Sequence, residues 1–177
     1  DALIVLGEIA KSNGDDDLMW SYYERFVRCN SKDTDYIAKV ANNYEKKGDK
    51  KNAKLYYQRT LNRLISTSDS VKTREIFNAL LENGTSDFSF YSTYISKLGS
   101  SPLALDLSKM LLSYLVDMKN SFSQDTAPSS VRKTLENIIE VSRTILSIDK
   151  DDMETKELLA SILKEKYGAS SRFTEVN

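Results

Sequence analysis

The chain has 177 residues, of which 40% are apolar and 29% are charged, and this composition excludes an intrinsically disordered protein. Its length suits one domain with a continuous core. The formal net charge of −1 excludes a long-range field that would draw the chain to nucleic acid or to an anionic membrane.

Apolar residues recur at spacings of three and four along nearly the whole chain, and this pattern predicts helices. Four are expected in the first part: one that ends in the turn 12–15, one over roughly 17–30, one that ends at 47–50, and one that carries the apolar positions of 53–64. Glycine after a last helical turn is typical of a left-handed C-cap. It therefore predicts helix ends at Gly14, Gly48, Gly84 and Gly99.

Five more helices are expected after residue 68. Their predicted starts are Asp69-Ser70, Asp87, Ser101-Pro102, Ser130 and Asp151-Asp152. Residues 119–129 are predicted to form the one long polar loop, and the last helix is predicted to end at Gly168. Residues 169–177 lack periodicity and are predicted to be a linker or tail toward a missing C-terminal region. Because the chain begins at Asp1 within an amphipathic pattern, without an initiator methionine, we expect a fragment of a longer protein.

The first 67 residues repeat themselves. Tyr22-Tyr23-Glu24-Arg25 recurs as Tyr56-Tyr57-Gln58-Arg59, and Gly14-Asp15 recurs as Gly48-Asp49, both at an offset of 34 residues. This is the helix–turn–helix period of tetratricopeptide (TPR) repeats. The sequence therefore predicts an all-α fold, a right-handed α-α superhelix (a TPR-like solenoid) of about nine helices that diverges in its C-terminal half. We expect a single TPR-like domain over 1–168, with repeats clearest at 1–67 and degenerate at 68–168.

Small residues in the repeat predict where its helices approach each other. Gly7 and Ala41 occupy equivalent positions in the first helix of each hairpin, and Ala53 lies in the second helix of its hairpin. Each helix buries only one or two apolar stripes, so stability is expected to come from stacking of neighbouring hairpins.

Residue types argue against an active site. The chain has no histidine, which excludes the usual zinc sites and histidine-based acid–base catalysis. The acidic groups at 15–17, 33/35 and 149–154 each precede a helix, so we interpret them as N-caps rather than metal ligands. The lone Cys29 excludes an internal disulfide and fits a reducing cytoplasm. No apolar run approaches the ~20 residues of a membrane span, and no leader pattern is present. We expect a cytoplasmic, non-enzymatic protein without a cofactor.

A basic cluster at Lys46, Lys47, Lys50, Lys51 and Lys54 is interleaved with tyrosines, as in some nucleic-acid patches. The tyrosines fall on the core stripe, however, so they are not expected to stack on bases. A solvated turn is the favoured interpretation. A phosphate-contacting patch and a contact with an acidic protein remain alternatives.

The concave face of a TPR stack is formed by the first helix of each repeat. In this chain it would present a candidate partner-binding groove made of Glu8, Lys11, Lys39, Asn42 and Lys46. Asn42 lies where TPR proteins often bond a peptide backbone. Ile4 and Glu8 occupy the places of the usual carboxylate clamp, which argues against binding of a chaperone tail. An ordinary solvated groove is the competing interpretation.

Three segments resemble the long helical extension that precedes the Gre domain in certain bacterial transcription elongation factors of the GreA type: Tyr36–Ser66, Asp87–Leu115 and Leu158–Val176. The resemblance implies a module of a protein that binds RNA polymerase and rescues backtracked complexes. It carries no functional residue onto this chain, because the acidic-tipped coiled coil and the C-terminal domain of that family are not visible in it.

We therefore expect a non-catalytic protein–protein interaction module of a Gre-type factor, whose partner is RNA polymerase or another transcription factor. Direct contact with nucleic acid or membrane is not expected. The alternative is a generic TPR adaptor that binds a peptide or protein in an unrelated cytoplasmic assembly.

Overall fold

The computed structural model describes residues 2–29, 32–67, 69–84 and 88–171. Within these ranges the chain forms nine α-helices and no strand, which confirms the predicted all-α fold of about nine helices. The helices are α1 (Ala2–Ser12), α2 (Asp16–Cys29), α3 (Thr34–Lys46), α4 (Lys50–Leu64), α5 (Ser70–Glu82), α6 (Phe88–Lys97), α7 (Pro102–Asn120), α8 (Pro128–Ile148) and α9 (Met153–Ser171). None of these described helices combines the length and the apolar character that a bilayer crossing requires.

The chain divides into two compact units, Asp1–Thr85 and Ser86–Asn177. Unit 1 contains α1 to α5 and unit 2 contains α6 to α9. The single domain expected over residues 1–168 stays a prediction.

In unit 1 the helices pack as hairpins, α1 on α2 and α3 on α4, and α5 packs on α4. The turns of the two hairpins share a glycine torsion and a backbone hydrogen bond at equivalent positions. Gly14 has a φ of 77° and Gly48 has a φ of 76°, which only glycine adopts without strain. The Asp15 N–H donates to the Ala10 carbonyl at 2.9 Å, and the Asp49 N–H donates to the Tyr44 carbonyl at the same distance. The 34-residue offset is therefore present in the backbone as well as in the sequence.

Small residues allow the helices of each hairpin to approach closely, as the sequence predicts. A methyl group added at Gly7 would overlap the ring of Tyr23 from α2. Ala41 and Ala53, on the facing helices of the second hairpin, are both fully buried. Neighbouring hairpins are joined by aromatic packing, because the Tyr36 ring lies edge-on to Tyr23 at 5.1 Å between ring centroids.

In unit 2 the helices pack in chain order, α6 on α7, α7 on α8 and α8 on α9. Helix α7 starts at Ser101-Pro102 as predicted, and the Ser101 side chain caps it by accepting a hydrogen bond from the Ala104 N–H at 3.1 Å. The polar loop is shorter than the expected 119–129, because α7 continues to Asn120 and α8 begins at Pro128. Helix α9 continues to Ser171, so the first three residues of the expected tail are helical. Residues 172–177 and the predicted start at Asp87 lie outside the described residues.

Candidate partner-binding groove

A concave surface of unit 1 lies between α3 and α5 and has a volume of about 970 Å³. We call it the α3–α5 groove. Its α3 wall consists of Asp35, Ala38, Lys39, Asn42, Glu45 and Lys46. Its α5 wall consists of Val71, Lys72, Glu75, Ile76, Asn78, Ala79 and Glu82. The residues of each wall are spaced three or four apart, so each set forms one stripe along its helix.

Polar contacts hold the two walls side by side and in the same direction. Near the start of both helices, the Lys72 ammonium group pairs with Asp35 and donates to the Thr34 hydroxyl at 3.0 Å. Near their ends, the Asn83 amide donates to Glu45 Oε1 at 2.5 Å. The hydrogen bond and the charge of Lys72 lower the pKa of Asp35 below its ordinary value. The walls are thus fixed at both ends, which makes the groove a preformed surface.

The base of the groove is supported by Tyr57 of α4. Its hydroxyl donates to Glu45 Oε2 at 2.7 Å, and the Asn42 amide is a second hydrogen-bond partner. Burial, followed by the hydrogen bond and charge of Glu45, raises the pKa of Tyr57 above its ordinary value of 10.0. Tyr57 therefore stays protonated and orients two side chains of the α3 wall.

Of the five residues predicted for the partner-binding face, the structure brings Lys39, Asn42 and Lys46 together in the groove, and all three are exposed. Glu8 and Lys11 are not among the lining residues. The Glu8 carboxylate instead accepts a hydrogen bond from the Tyr23 hydroxyl within the first hairpin. Lys11 is exposed in the last turn of α1. A binding role for these five residues stays a prediction.

The groove is predominantly acidic, which the sequence did not indicate. Three lysines line it, namely Lys39, Lys46 and Lys72. Six carboxylates line it, namely Asp33, Asp35, Glu45, Asp69, Glu75 and Glu82. Asp33 and Asp69 also cap α3 and α5, because each accepts hydrogen bonds from backbone N–H groups of the first turn. The surface is therefore suited to a cationic rather than an anionic partner.

Two apolar contacts were also missed from the sequence. Trp20 of α2 is half-buried at the edge of the groove, and Val71 on the α5 wall is 73% exposed. Tyr36 lines the groove as well, with the Lys39 ammonium 4.4 Å from its ring centroid. Val71 carries a signal that the sequence could have revealed, because it is a β-branched apolar residue within a mainly polar stripe of α5. Together these side chains give the groove an aromatic and apolar end.

A second exposed surface lies on α1. Val5, Leu6 and Ile9 are spaced as one stripe, and all are more than a third exposed. At the 34-residue offset Leu6 corresponds to Val40, which is completely buried in α3. The repeat therefore accounts for the apolar character of Leu6, whereas Val5 and Ile9 correspond to the polar Lys39 and Asn43.

The other candidate sites are structural. The acidic groups act as helix caps, as predicted: the Leu18 N–H donates to Asp15 at 3.0 Å, and the Thr155 N–H donates to Asp152 at 2.8 Å. Across the ranges that the structure describes, no three carboxylates or thiols lie close enough to hold a metal ion. In the basic cluster, Tyr56 and Tyr57 are buried, so neither is available to stack on a base.

Two known proteins resemble the chain over part of their length. It is 24% identical over 166 residues to the transcription elongation factor GreA of Borreliella burgdorferi, an alignment that covers 94% of this chain and 17% of that protein. It is 29% identical over 90 residues to a GreA-associated domains protein of Treponema pallidum, covering 51% of this chain and 14% of that protein. No family model matches the chain. The chain is thus distantly similar to GreA-related proteins, of which it spans about a sixth of the length or less.

Proposed function

We propose that the chain is a non-catalytic protein-interaction module of a Gre-type transcription elongation factor, working in the bacterial cytoplasm. The observation that carries the proposal is the similarity to GreA of Borreliella burgdorferi, which extends over 94% of the chain. Because the aligned segment is about a sixth of that protein, we assign to it the role of contacting another protein of the transcription machinery. RNA polymerase or another transcription protein is the partner that this context favours.

A TPR-like stack of hairpins is the architecture that we propose for the module. It is supported by the equivalent turns at Gly14 and Gly48 and by equivalent contacts between the helices of each hairpin. The Tyr23 hydroxyl bonds Glu8, and 34 residues later the Tyr57 hydroxyl bonds Asn42. Such stacks present extended concave surfaces to their partners. The α3–α5 groove is the surface of this kind in unit 1.

The groove supports binding rather than chemistry. The chain has no histidine, and four of the six carboxylates of the groove, Asp33, Asp35, Glu45 and Asp69, are used in caps and in contacts between side chains. The groove is open and lined by six carboxylates and three lysines, whereas sites for small molecules are mostly enclosed and carry few polar groups. We therefore assign it to contact with a protein segment.

Co-precipitation with purified bacterial RNA polymerase tests the proposal. The immobilised wild-type chain is expected to retain the polymerase. Asn42→Trp fills the groove whatever the charge of the partner, so it is expected to reduce retention at least fivefold. Asn62→Trp is the matched control, because Asn62 is an exposed asparagine on α4 that does not line the groove. Equal retention by both variants, or none by the wild type, would contradict the proposed role.

The alternative, a generic TPR adaptor of an unrelated assembly, is distinguished by the same experiment. It predicts that the wild-type chain fails to retain RNA polymerase while the groove still binds a peptide. Retention of the polymerase that depends on the groove would exclude this alternative.

A further inference from the structure

We propose that the α3–α5 groove binds an extended, polyproline-II-like segment of a partner protein that carries lysine or arginine at two positions three residues apart. This partner class rests on the interaction role proposed above and specifies its chemistry.

The charge balance of the groove favours a cationic segment. Its lining carries six carboxylates and three lysines, a net formal charge of −3, whereas the whole chain has a net charge of −1. Lys72 is already paired with Asp35, so it offsets no other carboxylate. Opposite charges attract across an interface and like charges are repelled. A phosphate backbone or an acidic peptide is therefore disfavoured in this groove.

Two exposed carboxylates of the α5 wall, Glu75 and Glu82, have no cationic partner among the described residues. Glu75 is exposed and has no hydrogen-bond or ion-pair partner among the residues that the structure describes. Within the described part of the chain, Glu82 accepts only a hydrogen bond from the neutral Asn78 amide, at 2.7 Å. Lys39 and Lys46 lie on the opposite wall. Cationic side chains of a partner would therefore be directed toward α5.

The spacing of these two glutamates selects the conformation of the partner. They are separated by seven residues, or about 10.5 Å along the helix axis at a rise of about 1.5 Å per residue. A polyproline-II segment places residues i and i+3 on one side at a distance of about 9.3 Å. A β-strand would place i and i+3 on opposite sides. Flexible lysine or arginine side chains bridge the remaining difference of about 1 Å.

The aromatic end of the groove suits the same conformation. Trp20, Tyr36 and Val71 all line the groove, and Val71 is 73% exposed. Aromatic-lined grooves bind polyproline-II segments because these segments are preformed and lose little conformational entropy on binding. Ala38 on one wall and Ala79 on the other are small, which leaves room for a backbone between the helices.

The probe is the peptide acetyl-PPRPPRPP-amide, whose two arginines are three residues apart. Trp20 is the single tryptophan of the chain, and it lines the groove, so its fluorescence reports binding directly. We expect saturable binding, at least tenfold tighter than that of acetyl-PPEPPEPP-amide or of the adjacent-arginine isomer acetyl-PPRRPPPP-amide. Raising the salt concentration from 50 to 300 mM is expected to weaken binding severalfold.

The double variant Glu75→Gln/Glu82→Gln is expected to lose at least tenfold in affinity for the arginine peptide. Glu140→Gln/Glu157→Gln removes the same charge from exposed positions of unit 2 and is expected to bind as the wild type does. Lys39→Ala/Lys46→Ala is expected not to weaken binding. Far-UV circular dichroism checks that the variants, all at exposed positions, keep the helical fold.

Three results would overturn the inference: equal affinity for the arginine and glutamate peptides, unchanged affinity in Glu75→Gln/Glu82→Gln, or an equal loss in the unit 2 control. Tighter binding of a single-stranded oligouridine than of the arginine peptide would also overturn it. If RNA polymerase is retained but the arginine peptide does not bind, the interaction role stands and this partner class fails. If the peptide binds and the polymerase is not retained, the partner class stands without the transcription role.

Discussion

Replacing Gly7 by alanine tests the packing of the first hairpin. Gly7 lies inside α1, where alanine is ordinarily favoured over glycine by up to about 1 kcal/mol. The added methyl group would overlap the Tyr23 ring. That ring is 4% exposed and lies edge-on to Trp20, at 5.6 Å between ring centroids, and to Tyr36, at 5.1 Å. Its hydroxyl is also bonded to Glu8, so the ring has little freedom to move aside.

The expected magnitude is the difference of two opposing effects. Overpacking a well-packed core costs about 1–3 kcal/mol, and a ring held on several sides favours the upper part of that range. After the gain in helix propensity, Gly7→Ala is expected to lower the free energy of unfolding by about 1–2 kcal/mol. Urea denaturation followed by Trp20 fluorescence measures this value in unit 1.

Gly168→Ala is the matched control. Gly168 is also helical, in α9, but an added Cβ there would meet no atom within 4 Å. Only the gain in helix propensity remains, so this variant is expected to be as stable as the wild type or up to about 1 kcal/mol more stable by far-UV circular dichroism. If Gly7→Ala stabilises the chain as much as Gly168→Ala does, the close approach of α1 to α2 is refuted.

Three further substitutions examine other parts of the account. Ala53→Leu is expected to lower stability by about 1–3 kcal/mol because Ala53 is completely buried, and an unchanged melting temperature would count against the stacked hairpins. Leu6→Ala should lower the free energy of unfolding, measured by urea denaturation, by less than its repeat equivalent Val40→Ala does. The leucine loses more atoms, but it is 41% exposed, whereas Val40 is fully buried. The reverse order would contradict the different burial of these two equivalent positions. Asp152→Ala should cost about 1–2 kcal/mol at pH 7, because Asp152 caps α9 and pairs with Lys109. Lys109 lowers the pKa of Asp152 below 3.8, so this contribution is present above the unfolded pKa and is lost as the pH falls through the folded pKa. A cost that is the same at pH 7 and pH 2 would contradict that assignment.

The fold could be predicted from the sequence because its signals are local. Apolar spacing identified the helices, and the glycines after their last turns marked several helix ends; all four of them have positive φ. The boundaries of the polar loop were less accurate. Lys119 and Asn120 are polar but continue α7, since a helix tolerates polar residues on its exposed side. Pro128 begins α8 because its fixed φ suits the first helical position, which a search for apolar periodicity overlooks.

Only one of the two walls of the candidate groove could be predicted from the sequence. Its α3 wall follows from the 34-residue repeat, which identified Lys39, Asn42 and Lys46. Its α5 wall does not follow from that repeat. The residues that join the two helices are 37 positions apart in the sequence for Asp35 and Lys72, and 38 positions apart for Glu45 and Asn83. The equivalent caps Asp33 and Asp69, and the equivalent glycines Gly48 and Gly84, are 36 residues apart, so the repeat has lengthened by two residues. A search at a fixed period therefore loses the repeat after residue 67, although the helix that follows lies beside α3.

The acidic character of the groove also depends on α5. Glu75 and Glu82 reach this surface only because α5 packs beside α3, and no local pattern relates them to Asp35 or Glu45. Glu8 illustrates the opposite case. Its position in the repeat predicted a place on the binding face, but the nearby Tyr23 hydroxyl engages its carboxylate.

Site-specific photocrosslinking to purified bacterial RNA polymerase tests the central claim most directly, namely that the α3–α5 groove contacts the transcription machinery. A benzophenone amino acid replaces Val71, which is 73% exposed in the groove, or Leu55, which is 59% exposed on α4 and does not line the groove. The account predicts a crosslink to a polymerase subunit from position 71 and none from position 55. No crosslink from position 71, or equal crosslinking from both positions, would contradict it.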